Sequence, residues 1–130
     1  MSAQEIHTLA QQFVDAFNNK NLKAALDMLS DDLEVFDHVP YRFDNKKQFM
    51  DFVTGAMASF KSMQFGFRQL SCRLINEGAA VANAYDTFVG VMNDGKAQML
   101  HGRTTLVLAK EAGQWKIVSA HFSPLPTTHN

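Results

Sequence analysis

The chain has 130 residues, 46% of them hydrophobic and 11 of them phenylalanine, enough apolar mass for one cored domain and too much for a disordered chain. Its 12 basic and 13 acidic residues leave a net charge of -1 with no Lys/Arg cluster, which removes the electrostatic footprint of a nucleic-acid or anionic-membrane binder. Cys72 is the only cysteine, so an internal disulfide framework and a paired-cysteine zinc site are both excluded.

The start, Met1-Ser2-Ala3-Gln4-Glu5, carries neither the basic region nor the apolar block of a secretory signal, and no apolar run reaches membrane-spanning length. A soluble, cytoplasmic protein is expected. Ser2 followed by Glu5 matches a capping box and opens a helix from about Gln4 to Asn19, with Ile6, Leu9, Phe13 and Phe17 at helical spacing. Asn18, Asn19 and Asn21 break it. A second helix, Leu22 to Leu29, completes a helical hairpin, and Ser30-Asp31-Asp32 leads into a strand from Leu33 to Val39 that Pro40 stops. Asp44 or Asn45 caps a third helix through about Phe60, with an apolar face of Phe49, Phe52, Val53, Ala56, Met57 and Phe60.

Beyond Phe60 the period changes from helical to alternating. Met63 to Ile75, Ala79 to Met92, Lys96 to Ala109 and Gln114 to Phe122 read as strands. The turns between them are Asn76-Glu77-Gly78, the strong hairpin signal Asn93-Asp94-Gly95, and Lys110-Glu111-Ala112-Gly113. Consecutive hairpins predict an antiparallel sheet with one face buried on the helices, hence an α+β domain over residues 1–123, followed by a tail, 124–130.

One charged residue in this pattern carries a chemical question. Asp37 lies late in the apolar strand Leu33-Glu34-Val35-Phe36-Asp37-His38-Val39, where a carboxylate is costly to bury unless paired, hydrogen-bonded or protonated. It is either a strand end reaching water or the polar centre of a pocket. Strand alternation puts Val35 with Asp37 and sends His38 to the opposite face. The five histidines show no His-x-His or Glu-x-x-His spacing, so no metal site is expected. The glycines form no phosphate-binding loop, and Cys72 has no base beside it in sequence.

The order of elements, with Phe13-Val14-Asp15-Ala16-Phe17-Asn18, Leu29-Ser30-Asp31-Asp32, Asp37 and the ending Gly113-Gln114-Trp115-Lys116-Ile117-Val118-Ser119-Ala120-His121-Phe122-Ser123, resembles the superfamily of nuclear transport factor 2, ketosteroid isomerase and SnoaL-like polyketide cyclases. The resemblance covers nearly the whole chain. It implies three N-terminal helices in the concave face of a curved, mostly antiparallel sheet, a cone with an internal cavity, and homodimers formed through the outer sheet face. Since the superfamily hosts both enzymes and non-catalytic modules, fold does not settle function.

Asp37 falls where ketosteroid isomerases keep a general-base Asp. Those enzymes stabilise an enolate with a Tyr hydroxyl and a protonated Asp. Phe13 stands at the Tyr position, and Arg103 or Thr104 near the position of the second acid, so that route is not supported. The Asp-Arg-Asp arrangement of limonene epoxide hydrolases is missing too, because Arg103 has His101 and Thr105 two residues away. Aligning Asn76-Glu77-Gly78 with the family's turn puts Ala82, Ala84, Asp86 and Phe88 on the concave face, so Asp86 either joins Asp37 in the cavity or pairs with Arg103 or Arg73 at the rim. Tyr41 either closes the mouth or covers the core edge beside Phe43. His101 and Arg103 share one face of their strand, and His121 and Ser123 share one of theirs; the facing of each depends on bulges.

The expected catalytic residues are Asp37 and Asp86, and the expected ligand contacts are Phe13, Phe17, Tyr41, Phe52, Ala84, Phe88, Arg103 and His121. The resulting expectation is a small apolar or aromatic ligand and a reaction without cofactor or metal. In it Asp37 removes a proton next to a carbonyl in an isomerisation, cyclisation or dehydration. The alternative is a non-catalytic ligand-binding or dimerisation module of the same fold.

Overall fold

The computed structural model describes residues 2–126, and its elements run α1 (Ala3–Asn18), α2 (Leu22–Asp27), β1 (Leu29–Phe36), β2 (Arg42–Phe43), α3 (Lys46–Ala58), β3 (Phe60–Asn76), β4 (Ala79–Met92), β5 (Ala97–Glu111) and β6 (Gln114–Pro124). The Ser2 hydroxyl accepts from the Glu5 N–H and starts α1, which buries Ile6, Ala10 and Val14 along one stripe. The helix ends in two backbone bonds, Lys20 N–H to Phe17 O at 3.1 Å and Asn21 N–H to Ala16 O at 2.8 Å. This is the Schellman pairing, with Lys20 taking the left-handed position at φ 57° that glycine usually fills. Asn21 then caps α2 by accepting from Ala24 N–H, so one short polar run closes one helix and opens the next.

α2 stops at Asp27, and β1 begins at Leu29, earlier than the expected strand start at Leu33. The reason is tertiary. Leu29 pairs with Ile117 of β6, and the ladder resumes after a bulge at Glu34–Ser119 through Phe36–His121, all in parallel. Ser30 is buried there, and its hydroxyl donates to Glu111. At its far end β1 forms a short antiparallel pair with β2, Val35–Phe43 and Phe36–Arg42, a strand that period alone does not reveal in two residues. The Asn45 side chain caps α3 by accepting from Gln48 N–H at 2.9 Å, while Gln48 reaches back to Asp44 N–H.

The six strands form one unclosed sheet in the order β2-β1-β6-β5-β4-β3, antiparallel except at β1–β6. Bulges interrupt β3 between Arg68 and Ser71, where Gln69 has φ 54°, and the β5–β6 pairing between Val107 and Leu108. Such insertions bend strands and curl the sheet around the helices. The concave face buries Leu33, Val35, Ala80, Ala82, Leu106, Leu108, Ile117 and Ala120 against Ile6, Phe43 and Phe49. Of the expected tail, Pro124 belongs to β6 and residues 127–130 lie outside the described residues. No helix among the described residues is long and apolar enough to cross a membrane.

Asn18, at the end of α1, ties the helix to the edge strand β3. Its amide nitrogen donates to Phe65 O and its amide oxygen accepts from Phe65 N–H, both at 2.8 Å. A side-chain amide thus completes both backbone groups of an edge residue that have no neighbouring strand. Replacing it leaves a donor and an acceptor unpaired in a part-buried position. Asn18→Ala is expected to lower stability by about 1–3 kcal/mol, read as a shift of the urea midpoint at unchanged m-value.

Candidate functional site

Between α1, α3 and the concave sheet lies a cavity of about 380 Å³. Eight phenylalanines line it, among them Phe13 and Phe17 of α1, Phe52 of α3, Phe65 of β3, Phe88 of β4 and Phe122 of β6. Met50, Met57 and Met63 add adaptable apolar surface. The aromatic wall is braced by edge-to-face contacts, Phe17–Phe65 at 6.0 Å, Phe65–Phe122 at 6.4 Å and Phe60–Phe88 at 5.3 Å between ring centroids. Gly90 makes the last contact feasible. A Cβ there would stand 2.7 Å from the Phe60 ring and 2.9 Å from that of Phe88.

The polar lining residues are Asp37, His38, Asp86 and Gln98. Asp86 sits in the middle of β4, on the same face as Ala82, and is 4% exposed. The Thr104 hydroxyl, on the neighbouring strand, donates to its Oδ2 at 2.5 Å. Directly opposite is Gly102, where a Cβ would lie 2.9 Å from Asp86 Oδ1 and 2.6 Å from the Ser123 carbonyl oxygen. The carboxylate therefore lies so close over Gly102 that any side chain at residue 102 would strike it, with one oxygen held by Thr104.

Asp37 reaches the same cavity from a different geometry. β1 ends at Phe36, and the chain bends over residues 38–41 before β2. Asp37 opens that bend as turn residues of its type do, its Oδ1 accepting from His38 N–H at 2.7 Å. Burial pushes the Asp37 carboxyl above its ordinary value near 3.8, the Asp86 charge adds to that, and the His38 N–H and ring charge oppose it. Because the strand has already ended, alternation does not extend to His38, which lines the same cavity instead of the opposite face. This corrects the expectation from period alone.

The expected contacts divide. Phe13, Phe17, Phe52 and Phe88 line the cavity together with Asp37 and Asp86. Tyr41 does not close the mouth: it is 56% exposed and packs edge-on against Phe43, outside the lining. Ala84 is on the concave face opposite Thr104, half-buried and also outside the lining. Arg103 is exposed on the convex face, beside Tyr85, whose ring also carries Arg68 at 5.7 Å. His121 is convex too, against Phe36 at 5.8 Å between ring centroids. The convex placement follows from register, since Gly102 and Thr104, on either side of Arg103, are buried on the concave face. The alternative ion pairs of Asp86 with Arg103 or Arg73 are not formed, and neither Asp37 nor Asp86 has an ion-pair partner among the described residues.

The residues missed by period are instructive. Phe65, Phe122, Gln98 and Leu100 belong to strands whose inward face only pairing reveals: Phe65 and Leu100 are opposite Phe88 of β4, Gln98 is opposite Gly90, and Phe122 is opposite Thr104 of β5. Phe49, Met57 and Phe60 follow helical period, which marks a buried face without saying whether that face meets side chains or space. Among the described residues no group of three or more His, Cys, Asp or Glu gathers to hold a metal ion.

The raised Asp37 pKa has a signed consequence. Its neutral form is favoured in the fold, so the stabilising contribution is full below the unfolded value and disappears as pH rises through the folded one. Asp37→Asn is therefore expected to raise the melting temperature at neutral pH, the gain vanishing toward pH values below about 4. Asp86→Asn should move the Asp37 carboxyl resonance midpoint downward in a carbon NMR titration.

Comparison with known proteins agrees with this architecture. A family model described as a SnoaL-like domain matches residues 6–128. No curated protein sequence matches the chain. Among solved structures, a nuclear transport factor 2-like superfamily protein from Salmonella enterica serovar Typhimurium superposes with a TM-score of 0.83 at 21% identity, covering 98% of this chain and 93% of its own. A type 2 hexachlorocyclohexane dehydrochlorinase gives 0.78 at 12% identity, covering 96% and 89%. The association domain of the Caenorhabditis elegans calcium/calmodulin-dependent kinase II gives 0.73 at 17%, covering 92% and 93%. These likenesses concern the fold. With its family model spanning almost the full length, the chain belongs to the SnoaL-like domain family.

Proposed function

We propose that the protein is a cofactor-independent enzyme that moves a proton on an apolar carbonyl compound held in the phenylalanine cavity, with Asp37 as the proton acceptor. The observation that carries this reading is two carboxylates, Asp37 and Asp86, lining one cavity whose walls are otherwise almost wholly apolar. A carboxylate whose proton affinity is raised by burial is a stronger base than one in water, and its strength is useful only next to a C–H bond held away from water.

Among isomerisation, cyclisation and dehydration, the lining favours dehydration. An isomerase must hold an enolate until the proton returns, which calls for strong oxyanion donors. No tyrosine, lysine or arginine lines the cavity among the described residues. Elimination discharges the developing charge into the leaving group. Asp37 takes the proton from the carbon next to the carbonyl, the C–H electron pair becomes the new C=C bond, and the C–O bond breaks. The departing hydroxyl leaves as water on receiving a proton, either from His38 at the same end of the cavity or from Asp37 itself. The likeness in fold to a dehydrochlorinase supports a scaffold able to run eliminations.

The test uses 3-hydroxy-1-tetralone, which loses water and tautomerises to the strongly absorbing 1-naphthol. The wild type should accelerate the appearance of naphthol. Asp37→Asn should reduce kcat by about 10²–10⁴-fold, the usual worth of a general base. Turnover unaffected by Asp37→Asn would remove the reading.

A second reading, a dimerisation module, is favoured by the convex sheet face, where Phe36, Tyr85, Val89 and Met99 are exposed. We infer that two copies meet there, and the likeness to a kinase association domain supports that use of the fold. Light scattering should give twice 14.5 kDa, and Val89→Asp should return the mass to one chain. A monomeric wild type at every concentration would exclude it.

A further inference from the structure

Resting on the reading of the cavity as the site of an apolar carbonyl compound, we propose that this compound also carries a protonated amine, with the ammonium taken by Asp86 and the hydrocarbon body lying against the phenylalanine wall. The polar content of the hollow is one-sided. It offers two carboxylates, one imidazole and one amide, and neither a lysine nor an arginine, against a net charge of only -1 for the whole chain. A carboxylate 4% exposed and without a cationic partner bears a desolvation cost that a guest carrying its own cation offsets. A carboxylate or phosphate ligand would meet two like charges and no bidentate donor to hold it.

The local geometry around Asp86 fits that guest. Thr104 donates to Oδ2, and among the described residues no side chain donates to Oδ1, so one oxygen is fixed and the other is left for an N–H donor. Rings surround it on three strands. Phe88 follows two residues along the same face of β4, Phe65 is directly opposite Phe88 on β3, and Phe122 is directly opposite Thr104 on β6. Aromatic faces attract an ammonium where water is excluded. A volume of about 380 Å³ is at the small end of ligand pockets and suits a body of one or two rings. Asp37, in the bend with the exposed His38, remains free for proton transfer, so anchoring and chemistry fall on different carboxylates.

The experiment compares three bicyclic probes by isothermal titration calorimetry on the full chain at neutral pH: 2-aminotetralin as the cation, 2-tetralone as the neutral counterpart and 2-naphthoate as the anion. The amine is expected to bind about tenfold or more tighter than the ketone, with no measurable binding of the naphthoate. Asp86→Asn should abolish the advantage of the amine and leave the ketone unchanged, whereas Asp37→Asn should keep the preference. The ketone binding as tightly as the amine in the wild type overturns the proposal while leaving the elimination reading in place. Equal loss of both probes in a folded Asp86→Asn also overturns it. Absence of binding by all three removes both readings together. Should Asp86→Asn fail to fold, the wild-type comparison of amine and ketone decides alone.

Discussion

The hydroxyl of Thr104 holding a carboxylate inside the concave face of the sheet is the interaction around which the rest is arranged. Its neighbours on β4 and β5 make room for it. Gly102 withholds a side chain that would strike Asp86 Oδ1. Ala84, next along the same face, is small. The Ser123 carbonyl oxygen closes the notch from β6 at 2.6 Å from where a Cβ of residue 102 would be. A polar group sunk this deep is tolerated only when a partner is supplied and crowding removed. Three strands supply both, which explains why the middle of β4, β5 and β6 carries glycine, threonine and alanine where large aliphatic residues would pack a tighter core.

The second carboxylate is placed by an ending. β1 runs parallel to β6 and stops at Phe36, because the next ladder partner lies across a turn in β2. Asp37 and His38 fall in the bend between, released from strand alternation, and both reach the cavity. The two acids thus come from opposite logics, one fixed mid-strand in a regular ladder and one at a loop supported by a rigid scaffold. Binding and catalytic groups commonly fall in loops of this kind, where the backbone does not dictate the direction of each side chain. Asp37 has its nearest bond with its own neighbour, the His38 N–H, so its position depends on the bend, whereas Asp86 depends on the sheet.

Much of this was legible in the residues, and the gaps have physical causes. The helix caps Ser2 and Asn45, the turn Asn93-Asp94-Gly95 and the strand Ala79–Met92 follow from local chemistry and appear where period and turn type place them. The inward set Ala82 and Asp86 is readable because β4 is uninterrupted by a bulge. The facing of Arg103 depends on the β4–β5 register, and that of His121 is not readable, since the β5–β6 register shifts between Val107 and Leu108 and the parallel β1–β6 pairing has no local signature. His38 escaped for the simplest reason: alternation is a property of strands, and the strand had ended one residue before Asp37. Helical period found Phe13, Phe17 and Phe52, yet the same pattern describes a filled core. Whether a buried stripe faces side chains or space depends on the partner surface, here a concave sheet thinned by small residues.

The two faces of the sheet carry contrasting chemistry, and the contrast follows from one alternation. Along the rows across β3, β4 and β5, Arg68, Tyr85 and Arg103 stand directly opposite one another on the convex side, while Phe67, Asp86 and Gly102 do so on the concave side. The cations are thus all turned away from the acids of the hollow, and a slip of one residue in β4 would exchange Asp86 for Tyr85 and close the cavity. Register, more than residue choice, keeps the carboxylate free of arginine. An arginine on the inner face would neutralise Asp86 permanently and leave nothing for a guest to complete. The separation of charge across a single sheet is therefore what leaves the carboxylates of the hollow without a cationic partner.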